Sequence, residues 1–62
     1  MTGIVKSYSR KHGYGFIEAG GEDVFFHVAD WDLPESPRPG IRVRADIKVT
    51  KKGVRAINIR RE

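Results

Sequence analysis

Apolar residues along this chain recur at every second position in short runs, and no long stretch shows the 3.6-residue spacing of a helix. The clearest run covers residues 41–50. Ile41, Val43, Ala45, Ile47 and Val49 alternate there with Arg42, Arg44, Asp46 and Lys48, which predicts a half-buried strand with a charged outer face. Residues 3–9, 14–18, 23–28 and 54–59 are four more runs rich in strand-forming residues. Their connections carry turn chemistry: Arg10-Lys11-His12-Gly13, Ala19-Gly20-Gly21-Glu22 and Lys51-Lys52-Gly53. The exception is Asp32-Leu33-Pro34-Glu35-Ser36-Pro37-Arg38-Pro39-Gly40, whose prolines exclude a central strand or a regular helix. Ala29-Asp30-Trp31 fits one helical turn, and Arg60-Arg61-Glu62 is expected to fray. Five short antiparallel strands hide their edges best by closing on themselves. The expectation is therefore an all-β, five-stranded antiparallel barrel, with Val5, Ile17, Val24, Phe26, Val43, Ala45, Ile47, Ile57 and Ile59 as its core.

Length makes this a single domain over residues 1–62. So short a chain buries only about 60% of the surface that its unfolded form exposes, so its stability margin is thin. The chain has no cysteine, which excludes disulfides, thiolate metal sites and cysteine nucleophiles. His12 and His27 are the only imidazoles, with no ligand set at metal spacing beside them, so neither metal nor cofactor is expected. No apolar run exceeds three or four residues, too short for a membrane span or a signal-peptide core. A cysteine-free chain of this kind fits a cytoplasmic location.

Charge sharpens the picture. Twelve Lys and Arg against eight Asp and Glu give a net charge of +4, and the signs are sorted along the chain. Residues 1–17 carry Lys6, Arg10 and Lys11 without an acid, and residues 18–37 carry only acids. Residues 38–62 carry nine bases against Asp46 and Glu62. Such a balance suits a polyanionic partner, with a second surface turned away from it. Arg42, Arg44 and Lys48 read as a solvated face that adds general attraction.

Two segments hold the candidate chemistry. In His12-Gly13-Tyr14-Gly15-Phe16-Ile17, strand geometry sends Tyr14 and Phe16 to one face and Gly13, Gly15 and Ile17 to the other. The glycines admit two readings: space kept clear for a flat ligand on the rings, or softening of a sharply curved barrel strand. In Asp23-Val24-Phe25-Phe26-His27-Val28, the apolar set Val24, Phe26 and Val28 should face the core. That leaves Phe25 and His27 outside. Tyr14, Phe16, Phe25 and His27 can then form one patch beside Lys6, Arg10 and Lys11. Exposed rings for bases and cations for phosphates are what single-stranded RNA or DNA requires. Trp31 admits two readings, a replacement platform ring or an apolar plug for the barrel end, and its place after a helical turn favours the plug.

At these residues the chain resembles the cold-shock domain family. Gly-Tyr-Gly-Phe-Ile is similar to that family's first ribonucleoprotein motif, and Val-Phe-Phe-His-Val to its second. The likeness extends from Gly3-Ile4-Val5-Lys6 to Ala56-Ile57-Asn58-Ile59. It implies an oligonucleotide/oligosaccharide-binding (OB-fold) barrel that binds single-stranded RNA or DNA, often as an RNA chaperone. RNA recognition motifs share the Gly-Tyr-Gly-Phe element but need two amphipathic helices, which this chain lacks. The resemblance places Lys6, Tyr14, Phe16, Asp23, Phe25, His27 and Lys52 at nucleic-acid-contacting positions. Tyr8, Lys11 and His12 join them, at or beside positions where the family carries Phe and Lys. Ser7 stands where the family has a stacking Trp, Ser9 where it has Asn, and Val28 where it has another aromatic residue. Each missing platform removes ~1–3 kcal/mol per stacked base, so weaker binding is expected.

Two other classes compete with a non-enzymatic nucleic-acid binder. A protein-interaction barrel would use the acidic 18–37 segment as its docking surface, but the retained rings argue against it. A small hydrolase would need a nucleophile, a metal cluster or a phosphate-cradling loop beside His12, His27 and Asp23, and the sequence offers none. A monomer is expected, and the long proline-rich linker leaves a strand-exchanged dimer open.

Overall fold

Alternating patterns and glycine turns produce the predicted elements in a computed structural model that describes residues 1–62. The strands are β1 (Thr2–Ser9), β2 (Tyr14–Ala19), β3 (Glu22–His27), β4 (Arg42–Thr50) and β5 (Gly53–Arg61), with one 3-10 turn at Val28–Asp30. β2 and β3 are joined by the two-residue loop Gly20-Gly21, with Ala19 paired to Glu22. Both glycines have positive φ, +60° and +83°. That backbone matches the twist of a tight hairpin and is disfavoured for other residues. No helix is long and apolar enough to cross a membrane.

The strands close into a barrel in the order β1-β2-β3-β5-β4, with β4 returning to β1. Thr2, Gly3 and Ile4 pair with Arg44, Val43 and Arg42 at that closure. Pairing is antiparallel except at the seam between β3 and β5, where Phe25 and Phe26 lie parallel to Arg55 and Ala56. All-β closure and the five-stranded count are as the sequence predicts, and the barrel is that of an OB fold. The short parallel seam is the one added detail.

Val5, Ile17, Phe26, Val43, Ala45, Ala56 and Ile59 form the buried core. Burying the Phe26 ring alone is worth about 1.5–3 kcal/mol. Several positions expected to face the core differ. Asn58 has φ of +51°. The β4–β5 register slips beside it, from Arg44 opposite Arg60 to Asp46 opposite Ile57. An extra residue on β5 shifts the alternation, so Ala56 and Ile59 both face inward and Ile57 is only half-buried. Beyond Ala45 the β4–β5 hairpin runs past the barrel, leaving Ile47 and Val49 exposed. Val24 is half-buried. Val28, expected inside, is exposed because β3 ends at His27 and the chain turns. Arg60 and Arg61, expected to fray, belong to β5 and pair with Arg44 and Val43.

The proline-rich segment is anchored to the barrel. Pro37 is buried, and Leu33 packs on the core. Asp32 N–H donates to Ile59 O at 2.8 Å, and Gly40 N–H to Val5 O at 2.9 Å. Trp31 lies against Phe26, ring centroids 5.7 Å apart, and its indole N–H donates to Glu35 O at 2.6 Å. Trp31 is half-buried, with its ring packed on the core and its N–H satisfied, a placement in keeping with the apolar-plug reading.

Candidate nucleic-acid interface

Tyr14 and Phe16 project outward from β2 because the residues between and beyond them, Gly15 and Ile17, are buried. β3 pairs Tyr14 with His27 and Phe16 with Phe25, so directly opposed residues share one face. The result is a continuous row of rings. His12 and Tyr14 have centroids 5.6 Å apart, and Tyr14 and Phe25 5.6 Å. Phe16 meets Phe25 edge-on at 6.1 Å. Tyr14 and Phe16 are 38% and 36% exposed, enough to leave ring faces open to a ligand.

Gly15 owes its identity to the interior. A Cβ there would lie 2.2 Å from Ser7 O and 2.9 Å from the Phe26 ring. β1 crosses too close for any side chain. This close approach, rather than clearance for a ligand on the ring side, accounts for the glycine at position 15.

Hydrogen bonds orient both histidines. His27 Nδ1 accepts from Ala29 N–H at 3.0 Å and caps the 3-10 turn. A neutral ring bonded in this way carries its proton on Nε2. His12 Nδ1 and Ser9 Oγ share a hydrogen bond of 2.9 Å, which holds the imidazole at the end of the row.

Lys6 Nζ donates to Asp23 Oδ2 at 3.0 Å. That hydrogen bond, with the Asp23 charge behind it, raises the Lys6 pKa above its usual value and keeps the ammonium charged. The linked stability is therefore present below pH 10.5 and is lost as pH rises through the raised value. Lys11 is exposed in the turn before β2, and Lys52 is exposed in the turn between β4 and β5. Tyr8 lies apart from the row. It is half-buried with its ring stacked on Phe26 at 6.0 Å and 13°, so it forms part of the barrel wall.

A groove of about 660 Å³ runs between β3 and the β4–β5 hairpin, lined by Phe25, His27, Lys51, Lys52, Val54 and Arg55 among others. It extends the ring row toward two lysines. Arg55 is the residue that sequence reasoning missed. It sits beside Phe25 across the parallel seam, with its guanidinium held by the Asp30 carboxylate. Its buried Nε has no hydrogen-bond partner, so Asp30 alone anchors the group. The alternation of β5 does not show which strand will lie beside it, so the sequence held no signal for this residue.

The arrangement offers flat apolar surfaces, imidazole donors and a cationic margin. Comparisons with known proteins agree in kind. The profile of the 'Cold-shock' DNA-binding domain matches residues 1–62. A cold shock-like protein of Aquifex aeolicus is 39% identical over 64 residues, covering 97% of this chain and 91% of that protein. The major cold shock protein of Bacillus cereus is 37% identical over 62 residues, covering 95% and 92%. A cold shock domain-containing protein of Drosophila melanogaster is 54% identical over 46 residues. This chain spans about a third of that longer protein, 32%, and the match covers 71% of this chain. None of these names is an enzyme's. With the motif pair, the closed barrel and a profile match along its whole length, the chain belongs to the cold-shock domain family, a family of nucleic-acid-binding domains.

Proposed function

We propose that this domain binds single-stranded RNA or DNA without covalent chemistry. Bases lie on His12, Tyr14, Phe25 and Phe16, and His27 offers its Nε2–H at the margin. Lys6, Lys11 and Lys52 meet phosphates, and Asp23 competes for Lys6. In this reading the domain acts as an RNA chaperone by mass action, trapping unpaired strands with no nucleotide hydrolysis.

The observation that carries the reading is the unbroken row of partly exposed rings on neighbouring strands. Stacking is tolerant of sequence because every base has a π-face, and it requires bases that are free of a duplex. The test is a titration with single-stranded and duplex oligonucleotides at two salt concentrations. Single strands should bind tighter, with log K against log[salt] sloping by roughly −2 to −3 for three or four phosphate contacts. Duplex binding as tight as single-strand binding overturns the ring platform. A flat salt dependence favours a protein partner instead.

A further inference from the structure

β4 carries a second concentration of positive charge outside the ring row. Arg42 and Arg44 are exposed, and neither forms an ion pair. The register places Thr2 of β1, Arg44 of β4 and Arg60 of β5 in one line across three strands. Directly opposed residues of an antiparallel pair share a face, and like charges in that position repel. Arg60 is partly relieved by Asp46, 3.6 Å away. Arg44 has no carboxylate. Arg42 sits one step along the same face and borders a shallow concavity lined by Arg38 and Arg61 and by Glu35 and Glu62, without forming an ion pair to either carboxylate. Arg61 is spoken for by Glu35, and Arg38 is unpaired. Arg44 opposite a partly compensated Arg60, with Arg42 unpaired beside it, leaves a surface that an anion would stabilise.

Position separates this face from the rings. Tyr14 and Phe16 lie against the end of β1, opposite Ser9 and Ser7. Arg42 and Arg44 lie against its beginning, opposite Ile4 and Thr2. Along β1, Arg42 is three residues from the Phe16 position and five from that of Tyr14, about 10 and 16 Å of strand at ~3.3 Å per residue. β4 also lies on the other side of β1 from β2 in the barrel. The arginine face has no aromatic side chain to stack on. Spaced guanidiniums with no rings recognise backbone phosphate, whatever the bases and whether or not they are paired.

We infer that the Arg42–Arg44–Arg60 face is a second nucleic-acid contact, which holds the phosphate backbone of another strand or a duplex while the rings hold the bases of the first. The inference rests on the ring row binding a strand. It makes the domain a bridge between two nucleic-acid segments and gives it the means to bring strands together as well as keep them unpaired.

The test uses the full chain and two non-complementary hexanucleotides, one carrying an energy-transfer donor and the other an acceptor, at low salt. The parent should bring the labels together, and a short duplex should bind more weakly than either strand. Arg42→Gln with Arg44→Gln should abolish the transfer and weaken duplex binding roughly tenfold, lowering its salt slope by about 1.8 for two lost contacts. Single-strand affinity should stay within about two-fold. Arg42→Lys with Arg44→Lys should keep the transfer, because charge is what the face supplies. Trp31 fluorescence melts check that each variant is folded. No transfer in the parent, or equal transfer and duplex binding in the glutamine variant, overturns the second contact. Phe16→Ala with Phe25→Ala separates the two readings: it should lower single-strand affinity to about that of the duplex and retain duplex binding. If it keeps full single-strand binding, the ring platform has failed, whatever the arginines do.

Discussion

Lys6 on β1 and Asp23 on β3 meet over the intervening strand β2, with Nζ and Oδ2 3.0 Å apart. A cation at the margin of the ring row is thus matched by an anion of the protein itself. Asp23→Asn keeps a hydrogen-bond acceptor and removes the charge. It should tighten single-strand binding roughly two- to five-fold at low salt, with the gain fading as salt rises. Titrations at two ionic strengths check this. Weaker binding in the variant would mean that Asp23 itself contacts the ligand.

Phe25 and Phe26 are neighbours sent to opposite sides of the barrel wall. Phe26 is fully buried, whereas Phe25 is half-buried in contact with Tyr14 and Phe16. Phe26→Ala should cost ~3–5 kcal/mol and leave the domain largely unfolded. Phe25→Ala should stay folded and weaken single-strand binding by ~1–3 kcal/mol, one stacked base. Thermal melts of both, with a titration of the folded one, check the pair. The opposite pattern would place the strand out of register by one residue.

Gly15→Ala tests the close approach of β1 to β2. The added methyl would fall 2.2 Å from a backbone oxygen, which cannot swing aside as a side chain can. The variant should melt well below the parent. If instead it is as stable as the parent and only binding is lost, the glycine serves the ligand rather than the fold.

Asp46 makes stability depend on acid. A hydrogen bond from Asn58 Nδ2 at 3.1 Å, helped by the Arg60 charge and opposed by desolvation, lowers its pKa below 3.8. The folded form therefore holds this proton less readily than the unfolded chain. The contribution is present above pH 3.8 and disappears as pH falls through the lowered value. Denaturant melts between pH 5 and pH 2, about the range of a depressed carboxylate, should show the parent losing more stability than Asp46→Asn. Parallel losses would show that the pair contributes nothing.

Strands and rings were legible in the sequence because each depends on local alternation: Tyr14 with Phe16, Phe25 against Phe26, Val43 with Ala45. The hairpin of β2 and β3 was legible for a similar reason, since Gly20-Gly21 accepts a backbone that few residues adopt. The missed features depend on relations between distant segments. Asn58 can take a left-handed conformation, but nothing nearby says that it does, and its slip puts Ala56 inside in place of Ile57. Ile47 and Val49 follow the pattern of buried residues perfectly, yet lie where the hairpin outruns the barrel. Arg55 acquires a place beside Phe25 only through the parallel seam.

That seam has a mechanical consequence. β1, β2 and β3 are joined by antiparallel ladders, as are β4 and β5, whereas the strand ladders between the two groups are short: Phe25–Arg55 and Phe26–Ala56 on one side, and Thr2, Gly3 and Ile4 on the other. The core is divided along the same line, with Val5, Ile17 and Phe26 from the first group and Val43, Ala45, Ala56 and Ile59 from the second. Neither half encloses a core by itself, so neither should persist alone, and the domain should unfold as one unit. The ladders within each half are local in sequence and can form early. The seams require closure of the proline-rich connection, which places them last in folding.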